Sequence, residues 1–431
     1  MTPQEARRYL ESLSFQGMKL GLDNTRQLLV RLGDPQKSYS VIHVGGTNGK
    51  GSTCAILSSI LTAAGIANGL YTSPHQVTFH ERIRVGAEMI EESEAADAIS
   101  TVKDALENGP GLSVTYFEFL TAVAFLHFAR AGVQAAVVEV GMGGRFDSTN
   151  VVDPAVCAIT SVAMDHMFHL GDTLEKISME KCGIIKPGRP VILGAMEGPA
   201  LKVAMDTATE RGSKALLTER DFSTRRLEMD RGGEAFSYRA GNENLENLFV
   251  GLLGRKQVEN AGISVTAALA LRERGFDIPD AAIRLGLETV KESGRFENVR
   301  KKPALIMDGA HNPAAAMALC ETIIERHGPG RADIIFGAMR DKDYTAMLKA
   351  LAPAARSFTC FSPNVPRAED PKKLALAQKD AGIPTRVAGG LADVLSMIEK
   401  AGGDSLTIIT GSFYTIGEVR AAMLGAMVEP D

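Results

Sequence analysis

The segment Gly45-Gly46-Thr47-Asn48-Gly49-Lys50-Gly51-Ser52 constrains this chain more than any other. It follows a short apolar run, Ser40-Val41-Ile42-His43-Val44, and precedes a helical pattern from Thr53 to Ala64. A strand that enters a glycine-rich turn and then a helix has the plan of a phosphate-binding loop. Glycines let backbone N–H groups turn inward, the helix N-terminus favours an anion, a Lys reaches the β/γ oxygens, and a hydroxyl meets Mg²⁺. The segment departs from the Walker A pattern at two places. Val44 stands where the first glycine would be, and Gly51 separates Lys50 from Ser52, so either Ser52 or Thr53 is placed to supply the hydroxyl. A plain glycine-rich turn would explain the glycines alone. Lys50 between two of them favours a bound nucleoside triphosphate.

The same alternation recurs downstream. Residues 135–140, 155–160 and 190–193 read as buried strands, and with helical patterns between them they imply a parallel α/β sheet. Residues 4–33 read as helical, and helices are expected from Asn260 to about Glu292. Residues 213–255 are polar and carry short alternating segments such as Ala235-Phe236-Ser237-Tyr238-Arg239, which suggest small antiparallel strands or an excursion from the domain. After a stretch from Glu292 to Pro303 that reads as a linker, the rhythm restarts at 304–308, 333–337 and 406–411. The expected organisation is a P-loop-type parallel-sheet N-terminal ATPase domain over 1–294, a linker over 295–302, and a smaller Rossmann-like C-terminal α/β domain over 303–431.

Composition excludes several classes. A length of 431 residues suits two or three domains, and a formal net charge of −5 leaves no basic field for nucleic acid. The five cysteines, Cys54, Cys157, Cys182, Cys320 and Cys360, form no CxxC pair, so neither a zinc site nor a disulfide framework is suggested. The first residues lack the apolar stretch of a signal peptide, and no run approaches the ~20 apolar residues of a membrane span. A cytoplasmic protein with no membrane partner is expected.

Four further groups carry chemistry. Glu139 sits near the end of a buried strand, where ligands of parallel sheets gather and where a lone carboxylate is costly unless paired or metal-bound. Mg²⁺ ligation explains it economically; a structural Arg partner is the alternative. Asp165-His166 and Glu180-Lys181 are, by themselves, better explained by structural roles, since a lone His after a strand is more often a hydrogen-bonder than a metal ligand. Arg295 and Asp308-Gly309-Ala310-His311-Asn312-Pro313 lie in and just after the expected linker, the latter at another strand end.

Together these segments resemble the folylpolyglutamate synthase/dihydrofolate synthase family within the Mur ligase group. The resemblance runs from Lys19-Leu20-Gly21-Leu22 to Gly411-Ser412-Phe413-Tyr414. Between them lie residues 46–52, Thr72-Ser73-Pro74-His75, the run 139–150, Met164-Asp165-His166, Glu180-Lys181, Gly294-Arg295-Phe296-Glu297, residues 308–312 and Phe336-Gly337-Ala338. The resemblance implies an ATP-dependent ligase that adds L-glutamate to a dihydropteroate or reduced-folate carboxylate through an acyl phosphate. It implies that Thr47, Asn48, Gly49, Lys50, Gly51, Ser52, Asn260, Arg295, Asp308 and His311 contact ATP, and that Ser73, Glu139 and His166 hold two Mg²⁺ ions. Lys181 matches a lysine often carried as a carbamate, which forms only on a neutral amine. Phe117, Asp147 and Ser148 match the pterin pocket, with Ser148 standing where some bifunctional members have Ala. Lys50, Lys181 and His311 are the expected catalytic residues, with His311 or another nearby base taking the proton of the glutamate amine. A monomer is expected. A cell-wall Mur ligase would carry a preceding UDP-sugar domain, for which a loop beginning by residue 45 leaves no room. A P-loop kinase would need neither Lys181 nor Asp308.

Overall fold

The computed structural model describes residues 1–13, 21–109, 111–227 and 232–429. Its first sheet has eight strands: β1 (Ser40–Gly45), β2 (Asn68–Tyr71), β3 (Ile83–Val85), β4 (Glu88–Met89), β5 (Ala135–Glu139), β6 (Val156–Ile159), β7 (Val191–Leu193) and β8 (Ala215–Leu217). Their spatial order is β4-β3-β2-β5-β1-β6-β7-β8. From β2 to β8 the neighbours are parallel, and β3 and β4 add an antiparallel edge. The central strands are apolar on both faces because helices cover both. Ile42, Val44 and Val137 pack under helices Lys50–Ala63 and Arg255–Arg272. Their neighbours Val41, Ala136 and Val138 face helix Tyr116–Arg130. This strand order brings the C-terminal ends of β1, β5 and β6 side by side, which is where a doubly covered parallel sheet binds ligands.

The stretch read as helical from residue 4 to 33 forms helices Pro3–Leu13 and Asp23–Arg31. Residues 14–20, including Lys19-Leu20, lie outside the described residues. The polar stretch 213–255 contributes β8 to the main sheet and then an antiparallel sheet of β9 (Ser223–Arg226), β10 (Glu234–Ala240) and β11 (Glu243–Val250). The helical pattern after Asn260 resolves into Arg255–Arg272 and Asp280–Thr289.

A second sheet contains β12 (Glu297–Lys301), β13 (Ala304–Met307), β14 (Ala332–Phe336), β15 (Ala355–Cys360), β16 (Thr385–Val387) and β17 (Leu406–Thr410), in the order β12-β13-β17-β14-β15-β16. Its strands are parallel except β12, which is antiparallel to β13. Residues 297–301, part of the stretch expected as a linker, are therefore an edge strand of this second unit. The hydrophobic cores change over between Val290 and Phe296. Glu234, fully buried, also ties the two halves together. Its carboxylate accepts the Gly254 N–H (2.8 Å) and pairs with Arg226 (2.7 Å) and with Arg326 of helix Pro313–His327 (2.7 Å). Among the described residues, no helix is long and apolar enough to cross a membrane.

Candidate active site

The loop from Gly46 to Gly49 leaves β1 and enters helix Lys50–Ala63. It is braced by the segment after β6. Thr47 N–H donates to the Ser161 carbonyl (2.8 Å), the Thr47 hydroxyl accepts from Ala163 N–H (3.0 Å), and Asn48 N–H donates to the Ser161 hydroxyl (3.1 Å). Gly46 has φ +141°, and a Cβ there would lie 2.0 Å from Thr160 Oγ1, so only glycine fits. Lys50 folds its ammonium back over the loop, 3.3 Å from the Gly46 carbonyl and 3.4 Å from that of Thr47. Ser52 lines the cavity above the loop; the Thr53 hydroxyl is buried away from it, without a hydrogen-bond partner among the described residues.

Glu139, the last residue of β5, accepts the Ser73 N–H (3.1 Å). Burial pushes its carboxyl up to about 7, although Lys50, the Ser73 N–H and Arg295 oppose this. Lys181, on helix Leu174–Cys182, donates to the Gly46 carbonyl (2.9 Å). Burial, with help from the charge of Lys50, brings its ammonium down to about 7. The amine is thus substantially neutral near physiological pH.

The second unit closes the cavity. Arg295 stacks its guanidinium 4.7 Å from the Phe413 ring centroid. Asp308, at the end of β13, accepts the N–H groups of Phe296 and Ala310 (both 2.9 Å) and is pushed up by burial. His311 donates from Nδ1 to the Gly309 carbonyl (2.9 Å), leaving Nε2 toward Asp165 at 3.7 Å. Asn260 lies against the phosphate loop, its Oδ1 2.4 Å from where a Cβ on Gly49 would be. These residues and the phosphate loop line one cavity of about 340 Å³.

A neighbouring cavity of about 470 Å³ holds Phe117, Asp147 and Ser148. Phe117 stacks on Tyr71 with centroids 6.0 Å apart. Asp147 accepts the N–H groups of Met142 (2.8 Å) and Thr149 (3.0 Å) as well as the Thr149 hydroxyl. Ser73, His166 and His311 lie on the wall that the two cavities share.

His166 occupies a left-handed conformation (φ 49°) after β6. Burial lowers its imidazole to about 4. Its Nε2 faces the ammonium of Lys342 at 3.3 Å, and the same ammonium donates to Asp165 (2.6 Å). Burial resists ionisation of Asp165, but His311, His166 and Lys342 outweigh it and hold the carboxyl far below the usual range. The structure thus brings Ser73 and Glu139 into direct contact and places His166 across the cavity beside a lysine. Among the described residues, no group of three His, Cys, Asp or Glu side chains stands at metal-ligating spacing.

Three residues at this site have no role assigned by the sequence reading. Lys342 follows β14 in the polar turn Arg340-Asp341-Lys342-Asp343, the same strand-end signal that marked Asp308. Asn312 exchanges hydrogen bonds with Asn48 across the two halves (2.8 and 3.2 Å) and also donates to Asp165 (3.2 Å). Glu292, at the start of the expected linker, receives the Ser52 hydroxyl and Arg295 Nε (3.4 Å). Burial raises its carboxyl, and its Oε2 has no hydrogen-bond partner among the described residues. A Cβ on Gly51 would lie 2.7 Å from Glu292 Oε1. Gly51→Ala is therefore expected to weaken nucleotide binding about tenfold, and Gly51→Ala/Glu292→Ala to recover part of the loss. Nucleotide titration of both variants checks this.

Comparison with known proteins identifies the two units. The Mur ligase middle domain matches residues 44–268, and the Mur ligase glutamate ligase domain matches residues 294–413. A dihydrofolate synthase/folylpolyglutamate synthase of Bacillus subtilis is 38% identical over 427 residues, covering 97% of this chain and 98% of the relative. The structure of Mycobacterium tuberculosis folylpolyglutamate synthase complexed with ADP superposes with a TM-score of 0.91 at 30% identity, covering 99% of this chain and all of that one (100%). An E. coli FolC structure in complex with DHPP and ADP superposes with a TM-score of 0.89 at 31% identity, covering 99% and 98%. Two joined α/β units that enclose a phosphate loop, matched end to end by these relatives, make the chain a member of the dihydrofolate synthase/folylpolyglutamate synthase family of Mur ligases.

Proposed function

We propose that this chain joins L-glutamate to the carboxylate of a dihydropteroate or reduced folate at the expense of ATP, acting as a monomer in the cytoplasm. The observation that carries this reading is the shared wall. The cavity over the phosphate loop and the cavity around Phe117 and Asp147 meet at Ser73, His166 and His311. A γ-phosphoryl group in the first and a carboxylate in the second would meet there.

A carboxylate is a poor electrophile because its leaving group would be oxide. Attack of a carboxylate oxygen on the γ-phosphorus breaks the bond to the β-phosphate oxygen and releases ADP, leaving an acyl phosphate. The glutamate amine then attacks the acyl carbon, the tetrahedral intermediate expels inorganic phosphate, and an amide remains. The N–H groups of Lys50, Gly51 and Ser52, which open helix Lys50–Ala63, and the Lys50 ammonium hold the phosphates and stabilise the charge that develops on them. Asn260, Arg295 and Asp308 hold the nucleoside, and Phe117, Asp147 and Ser148 hold the pterin. His311 has a ring nitrogen facing Asp165 and takes the amine proton. Closure of the second unit keeps water from the acyl phosphate.

The residues fit a hard divalent cation. Glu139 is buried with one N–H donor and no ion pair among the described residues, and the Ser73 hydroxyl beside it adds a second hard oxygen donor. Ser73, Glu139 and His166 would hold Mg²⁺, two ions being expected, which supplies positive charge at the transferring phosphoryl group. Lys181, with its pKa near 7, suits carbamylation, which replaces a costly cation by an anion next to the loop.

The test is ADP release with dihydropteroate and tetrahydrofolate assayed in parallel. Turnover is expected to require Mg²⁺, glutamate and one of these acceptors together. Glutamate-independent ATP turnover would favour a kinase or ATPase, and activity with neither acceptor would refute the folate reading.

A further inference from the structure

The loop after β2, from Ser73 to Arg82, walls the acceptor cavity and is held from behind by the segment that follows helix Phe413–Leu424. Glu429 N–H donates to the Val77 carbonyl (2.8 Å). One carboxylate oxygen of Glu429 accepts the Thr78 hydroxyl and the Phe79 N–H (both 2.8 Å), and the other lies 3.2 Å from Arg7 Nε. The Glu429 carbonyl is 3.0 Å from His75 Nε2, while His75 Nδ1 accepts from Arg82 Nε at 2.8 Å. Because Nδ1 accepts, the ring proton is on Nε2 and is donated to Glu429. A single tautomer serves both bonds.

Arg82 is the reason this relay matters. Its side chain is only 2% exposed, yet it lines the acceptor cavity, with its guanidinium 5.6 Å from the Tyr116 ring centroid. A buried guanidinium needs fixed partners, and a long arginine held in place before the ligand arrives loses less conformational entropy on binding. Arg420 reinforces the same loop by donating to Gln76 (2.8 Å) and pairing with Glu297.

We propose that Glu429 and His75 are positioning residues for Arg82. The segment around Glu429 docks on the Val77–Phe79 turn and fixes the imidazole, the imidazole fixes the guanidinium, and the guanidinium meets a carboxylate of the acceptor. This rests on the reading of the second cavity as the acceptor site.

The experiment is steady-state kinetics of the full chain with dihydropteroate and ATP varied separately, together with thermal unfolding. Glu429→Ala and His75→Phe are each expected to raise KM for dihydropteroate about tenfold. KM for ATP and the unfolding midpoint should stay near those of the parent. Glu429→Gln keeps an oxygen for Thr78 and Phe79 and should restore most of the loss. Unchanged acceptor kinetics in both variants, or an equal rise in both KM values, would overturn the proposal. His75→Phe leaves the Glu429 contacts to Thr78 and Phe79 intact, so it answers the question even if Glu429→Ala folds poorly. Asp147→Ala separates the two layers of inference. If it leaves KM for dihydropteroate unchanged, the cavity assignment fails. If it raises KM while the relay variants do not, only the relay fails.

Discussion

Lys181→Met is expected to lose on the order of a hundredfold or more in ligation rate and yet to unfold at a higher temperature than the parent chain. Lys181 is 4% exposed and keeps one hydrogen bond, to the Gly46 carbonyl. Its folded pKa of about 7 lies below the ordinary 10.5, so below pH 7 the fold carries the full cost of a buried cation. Between about 7 and 10.5 the unfolded chain binds more protons than the folded one, and that cost is relieved as pH rises. Methionine removes the cost, so its stabilising effect should be full below pH 7, on the order of a few kcal/mol, and should shrink as pH rises toward 10. Melting curves across that range, in CO₂-depleted buffer, check the sign. Intact mass checks the chemistry: the parent should carry one added CO₂ and the variant none. Full activity in the variant would remove Lys181 from the mechanism.

The second large effect is expected at Glu139. Its folded pKa of about 7 lies above the ordinary 4.5, so the folded chain holds the proton more tightly. Stability from this group is complete below pH 4.5 and is lost as pH rises through 7. At pH 8 without nucleotide, Glu139→Gln should therefore be more stable than the parent by on the order of 3 kcal/mol. The same substitution should cut the ligation rate by roughly a hundredfold or more, because an amide cannot supply the negative charge that a hard cation needs. Added Mg²⁺ should raise the melting temperature of the parent and leave the variant unmoved. A variant less stable than the parent at pH 8 would mean that the carboxylate has a structural partner in solution.

Both effects come from charges buried ahead of their ligands, but only Glu139 was legible from the residues alone; Lys181 reads as an ordinary helix residue until the family resemblance gives it a role. The glycine loop, Glu139 and Asp308 all stand at strand ends, where a short apolar run gives way abruptly to glycine or a charge. That signal is local, so one sequence suffices to see it. Glu292 and Glu429 gave no such signal, and the strand-end turn that holds Lys342 gave no sign of its partner. Lys342 meets Asp165 across 177 positions of chain, and Glu429 meets Phe79 across 350. Their roles exist only after the two units have docked. The boundary between the units was blurred for a related reason. Residues 297–301 are polar and half-exposed because they form a sheet edge, and an edge strand without a continuous apolar face reads as a linker.

The reciprocal amide contact between Asn48 and Asn312 has a thermodynamic consequence. Asn48 belongs to the loop that meets the phosphates, and Asn312 caps the helix that opens the second unit, Pro313–His327. Any preference of the loop for one position of that helix must appear, with equal size, as a preference of the helix for one state of the loop. Nucleotide occupancy and docking of the second unit are then coupled through this contact, and whatever coupling a change at either asparagine removes is removed equally from both.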